Sequence, residues 1–233
     1  MKLVVLGSSS AGNCYLLQKE NKILVIEAGL SIAEIKKSLN YDTNKITAVI
    51  CTHEHGDHAS HVGEFRKMFT PIFMPQNARL KDGEYTQVKD GETYNIHKFN
   101  ITAYRVKHDV ECYSYLIECE GERILFITDT CGFPYNIADV STILIEANYD
   151  VNILKSNIAN GMPLTHAKRV VEAHMNLDNA IEVCQRIKND ALKHIVLLHL
   201  SDSNSDSFSF VEKMQSRTGV ATYIAEKGLN LEL

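Results

Sequence analysis

The chain has 233 residues, 45% of them hydrophobic and 23% charged, which is the make-up of an ordinary folded domain and excludes a fibrous or disordered class. Its longest apolar runs, such as Ile195-Val196-Leu197-Leu198, are strand-length and too short to span a membrane. A net charge of −5 argues against a broad nucleic-acid-coating surface, which needs many Lys and Arg to neutralise phosphates, and leaves room only for a narrow one.

One continuous domain over residues 1–233 is expected, because a chain of this length fills a single core. The opening Met1-Lys2-Leu3-Val4-Val5-Leu6-Gly7 carries one positive charge and too short an apolar stretch for a signal peptide. It reads as a β-strand of a cytoplasmic protein. Cys14, Cys51, Cys112, Cys119, Cys131 and Cys184 form no Cys-x-x-Cys pair, and their apolar surroundings suit buried thiols better than disulfides.

Strands are expected at Lys2–Leu6, Tyr15–Gln18, Ile23–Ile26 and Ala48–Cys51, where aliphatic and β-branched runs are bounded by Gly, Asn or Ser, and these make a first sheet. Ser31-Ile32-Ala33-Glu34 is a capping box opening a helix through Leu39, and Ala59–Phe69 can form another helix. Strand patterns return at Ile101–Val106, Tyr113–Cys119, Arg123–Thr128 and Thr142–Glu146, with Glu120-Gly121 as a hairpin turn, and make a second sheet. Phe133–Pro163, punctuated by Pro134, Gly161 and Pro163, predicts a mobile or substrate-facing excursion. Helices follow at about Thr165–Met175, Asp178–Lys188 and Asp206–Arg217, capped by Thr165, Asp178 and Asp206, with Gly219 as a stop. A strand pair, Ala221–Ala225 and Leu229–Leu231, closes the chain. Two β-rich halves that each carry helices cannot hide both helix layers on one sheet, so an α/β fold of four layers, αββα, is expected with a site along one sheet edge.

Thr52-His53-Glu54-His55-Gly56-Asp57-His58 crowds four metal-ligating side chains into six residues after a short apolar strand, a spacing that packing does not explain. His53 and His55 can point to one metal while Asp57 and His58 turn to a second, with Gly56 freeing the backbone to make that turn.

At this motif the chain resembles the metallo-β-lactamase superfamily, whose mark is His-x-His-x-Asp-His. The similarity extends to Gly7-Ser8-Ser9-Ser10-Ala11-Gly12-Asn13, His108-Asp109, Thr128-Asp129-Thr130, Glu146-Ala147-Asn148-Tyr149-Asp150 and His199-Leu200-Ser201-Asp202-Ser203-Asn204. Over nearly the whole chain these pieces are similar to the YycJ/WalJ-type branch, related to RNase J and tRNase Z. With only 69 residues between Asp129 and His199 there is no room for the long insertion of RNase J. Ala173-His174-Met175-Asn176 departs from the branch's usual Gly-His-Leu-Ser-Asn.

The resemblance implies a four-layer αββα hydrolase with one metal on His53, His55 and His108, a second on Asp57, His58 and His199, and Asp129 bridging them. It implies hydrolysis of a phosphodiester, in nucleic acid or another substrate, by a hydroxide bridging two divalent ions. Zn²⁺ fits the His-rich shell best and Mn²⁺ next, since mixed His and carboxylate sites select weakly. In that reading Asp57 also orients the nucleophile, and His174 binds phosphate or protonates the leaving oxygen. As a helix-end residue His174 can equally be a C-cap. Two rival classes share the ligands: a hydrolase of a small ester, thioester or lactone, and a non-catalytic metal-binding regulator. Ser8, Ser9, Ser10 and Asn13 read as a substrate-facing loop or simply a turn. His61 reads as the start of the next helix, and His97, His166 and His194 as surface or helix-end residues. Lys155, Lys168 and Arg169 could meet phosphate, although isolated charges usually form a solvated face.

Overall fold

The computed structural model describes residues 1–76 and 83–233. Runs of aliphatic and β-branched residues set the strands β1 (Lys2–Gly7), β2 (Cys14–Lys19), β3 (Lys22–Ile26) and β4 (Ile46–Ile50) side by side, as expected. Short strands β5 (Ile72–Met74) and β6 (Thr86–Gln87) extend that sheet. The second sheet is built from β7 (Thr93–Ile96), β8 (Phe99–Val106), β9 (Cys112–Cys119), β10 (Glu122–Ile127), β11 (Thr142–Glu146), β12 (His194–Leu198) and β13 (Ala221–Ile224). Glu120 and Gly121, at φ 48° and 90°, make the tight turn between β9 and β10 that the sequence signalled.

The last two strands do not pair with each other. β13 joins β12 in the second sheet, whereas β14 (Asn230–Glu232) crosses over to pair with β1 at the edge of the first. The chain's two ends are thereby tied, with Lys2 opposite Glu232.

The sheets pack face to face over a core that includes Leu3, Val5 and Tyr15 from one and Ile101, Tyr115 and Phe126 from the other. Tyr15 and Phe126 meet edge to face at 5.3 Å, and each such side chain contributes roughly 1.5–3 kcal/mol by leaving water. Helices α1 (Ile32–Ser38), α2 (Gly56–Ala59) and α3 (Val62–Lys67) cover the outer face of the first sheet through residues such as Ile35, Val62 and Phe65. Two later helices, α6 (Leu177–Ile187) and α7 (Ser207–Thr218), cover the second sheet through Ile181, Cys184, Phe210 and Met214, completing the αββα arrangement. Between α3 and α6 in chain order, α4 (Val151–Ala159) and α5 (Leu164–Ala173) share a small cluster with Tyr149, Leu154 and Val170.

Several local expectations are corrected. The single helix expected at Ala59–Phe69 is two short ones, α2 and α3, because the ligand motif itself forms the first turn. Helix α5 starts after Pro163 rather than Thr165, and α6 is capped by the Asn176 side chain, which accepts from the Asn179 N–H, rather than by Asp178. The excursion from Phe133 to Pro163 contains α4, capped by Asp150, besides β11. Ser31, Asp206 and the left-handed Gly219 cap as expected. All six cysteines are free, and five are buried. Among the described residues no helix is long and apolar enough to cross a membrane.

Parallel pairing within β3–β4 and within β10–β11–β12 aligns the carboxyl ends of these strands along one edge of the sandwich. Side chains that follow strand ends therefore converge there, as in other open α/β sheets. Three of them, Glu27, Asp129 and His199, take left-handed backbone conformations at φ 66°, 49° and 51°. Such conformations cost non-glycine residues of order 1–3 kcal/mol each and concentrate at functional sites.

Candidate metal centre

The expected ligands fall into two groups that share one carboxylate. His53, His55, His108 and Asp129 each offer a ligand atom within 4.8 Å of the others, and so do Asp57, His58, Asp129 and His199. His53 and His55 leave the end of β4, Asp57 and His58 sit in α2, His108 follows β8, Asp129 follows β10 and His199 follows β12. His97, His166 and His194 lie outside every ligand group among the described residues.

Distances across the groups fit coordination. Two ligand atoms ~2.0–2.2 Å from a shared tetrahedral ion lie roughly 3.3–3.6 Å apart. His58 Nε2 is 3.3 Å from Asp57 Oδ2 and 3.4 Å from Asp129 Oδ2, and His199 Nε2 is 3.4 Å from Asp57 Oδ2. In the other group His108 Nε2 is 3.3 Å from His55 Nδ1, and His53 Nε2 is 3.8 Å from Asp129 Oδ2. His53 Nε2 and His199 Nε2 are buried without a well-directed hydrogen bond, an arrangement that costs stability unless something else takes their lone pairs. Exposed Asp109 lies 3.1 Å from His108 Nε2 and 3.3 Å from His55 Nε2 at the rim.

Electrostatics agree with a place for cations. Burial, then the neighbouring His58, holds the His53 imidazole well below its usual pKa, and burial lowers His108, so both are neutral and ready to ligate. Burial would also lower His58, but Asp129 and Glu27 outweigh it and hold that ring well above its usual value. His199 is likewise raised to about 10, with Asp129, Asp57 and Glu146 overcoming burial. Burial alone would raise Asp57 and Asp129, yet both are lowered by the imidazoles around them. The second group thus gathers protons wherever no cation neutralises its carboxylates.

Two buried carboxylates, Glu27 and Glu146, stand behind the ligands. Glu27, fully buried after β3, accepts from Thr52 Oγ1 at 2.6 Å and faces His58 Nδ1 at 3.4 Å, while Thr52 Oγ1 also meets His53 Nδ1 at 2.9 Å. One carboxylate therefore orients two imidazoles so that their Nε2 atoms face the centre. Glu146, the fully buried last residue of β11, contacts His174 Nδ1 at 2.6 Å and His199 Nδ1 at 3.3 Å and accepts the Met175 N–H at 3.1 Å. A lone acidic residue closing an aliphatic run, Ile23–Ile26 before Glu27 and Ile143–Ile145 before Glu146, is the signal in the sequence for both.

His174 occupies the C-cap position of α5, but its imidazole turns away to Glu146. Burial would lower its pKa; the Glu146 carboxylate outweighs that and raises it. Its ring stacks on His199 at 5.4 Å.

The Gly-Ser-Ser-Ser loop is partly structural. Ser8 Oγ accepts from Tyr15 OH at 2.7 Å and from the His199 N–H at 2.9 Å, and Asn13 Nδ2 reaches His58 Nε2 at 3.1 Å and Asp57 Oδ2 at 3.4 Å. Ser9 and Ser10 line a cavity of about 820 Å³ whose walls also include Asp57, His108, Asp129, His174 and His199.

Gly29 holds the ligand turn in place. Its backbone lies so close to α2 that an added Cβ would sit 1.8 Å from Asp57 O and 2.6 Å from Asn13 N. Gly29→Ala is expected to push the Asp57–His58 turn outwards and to cost about 1–3 kcal/mol, read as a lower denaturation midpoint. An unchanged midpoint would show that the turn yields freely.

A family model described as a β-lactamase superfamily domain matches residues 23–200. The exodeoxyribonuclease WalJ of Streptococcus pneumoniae serotype 2 is 27% identical over 230 residues, 88% of this chain and 83% of that protein. The exodeoxyribonuclease YycJ of Bacillus anthracis is 24% identical over 248 residues, covering 97% and 90%. Among solved structures, the metallo-β-lactamase fold protein YhfI from Bacillus subtilis superposes with a TM-score of 0.76 at 19% identity, over 100% of this chain and 99% of that one.

Proposed function

Because the chain belongs to the β-lactamase superfamily, whose model matches residues 23–200, we propose that it is a metal-dependent phosphodiesterase acting on nucleic acid. The observation that carries this reading is the sharing of Asp129 by two ligand groups at the floor of an open cavity. Its similarity to two exodeoxyribonucleases supports nucleic acid as the substrate class.

His53, His55, His108 and Asp129 would hold one divalent ion, and Asp57, His58, Asp129 and His199 the second, with Zn²⁺ preferred by the imidazoles and Mn²⁺ next. Bound there, such ions supply a low-pKa water and positive charge for the phosphate oxygens. The chain's own residues do the rest. Glu27 and Thr52 hold His58 and His53 in register, and Asp57, wedged between His58 and His199, orients the attacking oxygen as well as ligating. Glu146 engages His174 Nδ1, leaving Nε2 for the cavity, where it can give a proton to the leaving oxygen.

Elemental analysis after reconstitution is expected to find about two divalent ions per chain. Saturation at one would sink the dinuclear reading, and at none the metal chemistry altogether. Substrate class is tested with single-stranded DNA, RNA, bis-p-nitrophenyl phosphate, and lactones and thioesters, with Zn²⁺ or Mn²⁺ added. Metal-dependent release of nucleotides supports the reading; turnover of lactones or thioesters alone overturns it.

A further inference from the structure

We propose that Lys107 and Arg169 form a cationic bank, with the His166 ring beside Arg169, that grips the sugar–phosphate backbone of a single strand beside the bond being cut, so that the strand leaves the site across α5. This rests on the phosphodiesterase reading above and adds the direction in which the substrate lies.

All three residues are exposed and line the same cavity as Asp57, Asp129 and His174. His166 and Arg169 are three apart on α5 and so share a face, while Lys107 precedes the ligand His108 and lines the same cavity. Lys107 and Arg169 are the only Lys or Arg among the described residues lining that cavity. Neither forms an ion pair among the described residues, whereas neighbouring Lys168 is taken up by Glu172 at 3.7 Å. That pairing partly offsets the one carboxylate, Glu172, that α5 also turns towards the cavity.

The loops after β1 and β12 differ in kind. They present Ser9, Ser10, Ser201, Asp202, Ser203 and Asn204 to the cavity, which offer hydroxyls, an amide and a negative charge but no cation. A polyanion is therefore drawn to Arg169 and Lys107 and repelled near Asp202 and near the rim carboxylate of Asp109. In a chain of net charge −5, two unpaired cations beside the ligand cluster are a narrow basic strip of the kind a single backbone needs. Guanidinium is the better phosphate partner of the two because it presents a planar fork of donors.

The test compares wild type with Arg169→Gln, Arg169→Lys and Lys107→Gln. Binding is read by anisotropy of a short fluorescein-labelled phosphorothioate oligothymidylate, which keeps its charge and resists cleavage. Each Gln variant is expected to weaken binding about tenfold and to flatten the dependence of log Kd on log salt by about 0.7, the contribution of one phosphate contact on a single strand. Arg169→Lys should restore the salt slope, since it restores the charge. In turnover, the ratio of kcat/KM on the oligonucleotide to that on bis-p-nitrophenyl phosphate should fall about tenfold through KM. Unchanged salt slopes, or equal losses on both substrates, would overturn the cationic bank while leaving the phosphodiesterase reading intact. Wild type that cleaves neither substrate at any metal would instead remove that reading itself.

Discussion

Replacing Asp129 should abolish hydrolysis and weaken metal binding at both places at once. Its carboxylate belongs to both ligand groups, with Oδ2 at 3.4 Å from His58 Nε2 and 3.8 Å from His53 Nε2. It is also held on its far side, where Oδ1 accepts from Thr128 Oγ1 at 2.8 Å. Asn is the more telling replacement than Ala, because Asn tolerates the left-handed backbone at φ 49° and keeps the shape while removing the charge. Asp129→Asn is expected to lower turnover by at least the ~10²–10³ that one preorganised electrostatic group is worth, with affinity for metal falling at both places together. Asp129→Ala should go further, since it leaves buried imidazoles with no carboxylate partner. Either variant retaining full activity with two ions would show that the bridge lies elsewhere. Loss of one ion with the other unaffected would make Asp129 a terminal ligand.

The ligand motif was legible because coordination is a local demand: His53, His55, Asp57 and His58 must come within a few residues for one turn to present them all. His108, Asp129 and His199 carry no such spacing, and it was the family resemblance, with their positions after apolar strands, that picked them out. The two sheets were legible for a similar reason, since β1 to β4 and β8 to β11 are runs of β-branched and aliphatic residues with turn residues between them. What escaped depends on partners distant in the chain. Nothing near Leu229–Leu231 says that this segment pairs with β1 rather than with Ala221–Ala225. The α6 cap was misplaced because Asn176 and Asp178 are both good capping residues, and the choice is made by where the chain leaves its bridge at Tyr149. Glu27 and Glu146 were hardest to assign. A single carboxylate at the end of an aliphatic run has many uses, and only the fold shows Thr52 and His58 against one and His174 and His199 against the other.

His174→Ala should leave the metal content intact and still cost about 10²–10⁴ in turnover, the range for loss of a positioned general acid. The geometry separates it from the ligands in two ways. Its Nδ1 is occupied by Glu146 at 2.6 Å, and the two groups that hold the seven expected ligands are complete without it. What remains is an imidazole edge facing the cavity, on a ring that Glu146 keeps inclined to hold its proton against the pull of burial. If that proton goes to the leaving oxygen, the loss must depend on the leaving group. A deoxyribose or ribose oxygen leaves poorly without protonation and should show the full effect, whereas p-nitrophenolate needs little help and should show much less. Glu146→Gln should reproduce part of the pattern, because it removes the charge that favours the protonated ring, and it should also loosen His199, which the same carboxylate contacts at 3.3 Å. Equal losses on good and poor leaving groups would reassign His174 to binding phosphate. A missing ion in the purified variant would make it a ligand, consistent with the third cluster it forms with Asp129, Glu146 and His199. Unchanged kinetics with a lower melting temperature would return it to capping α5, where its backbone already sits.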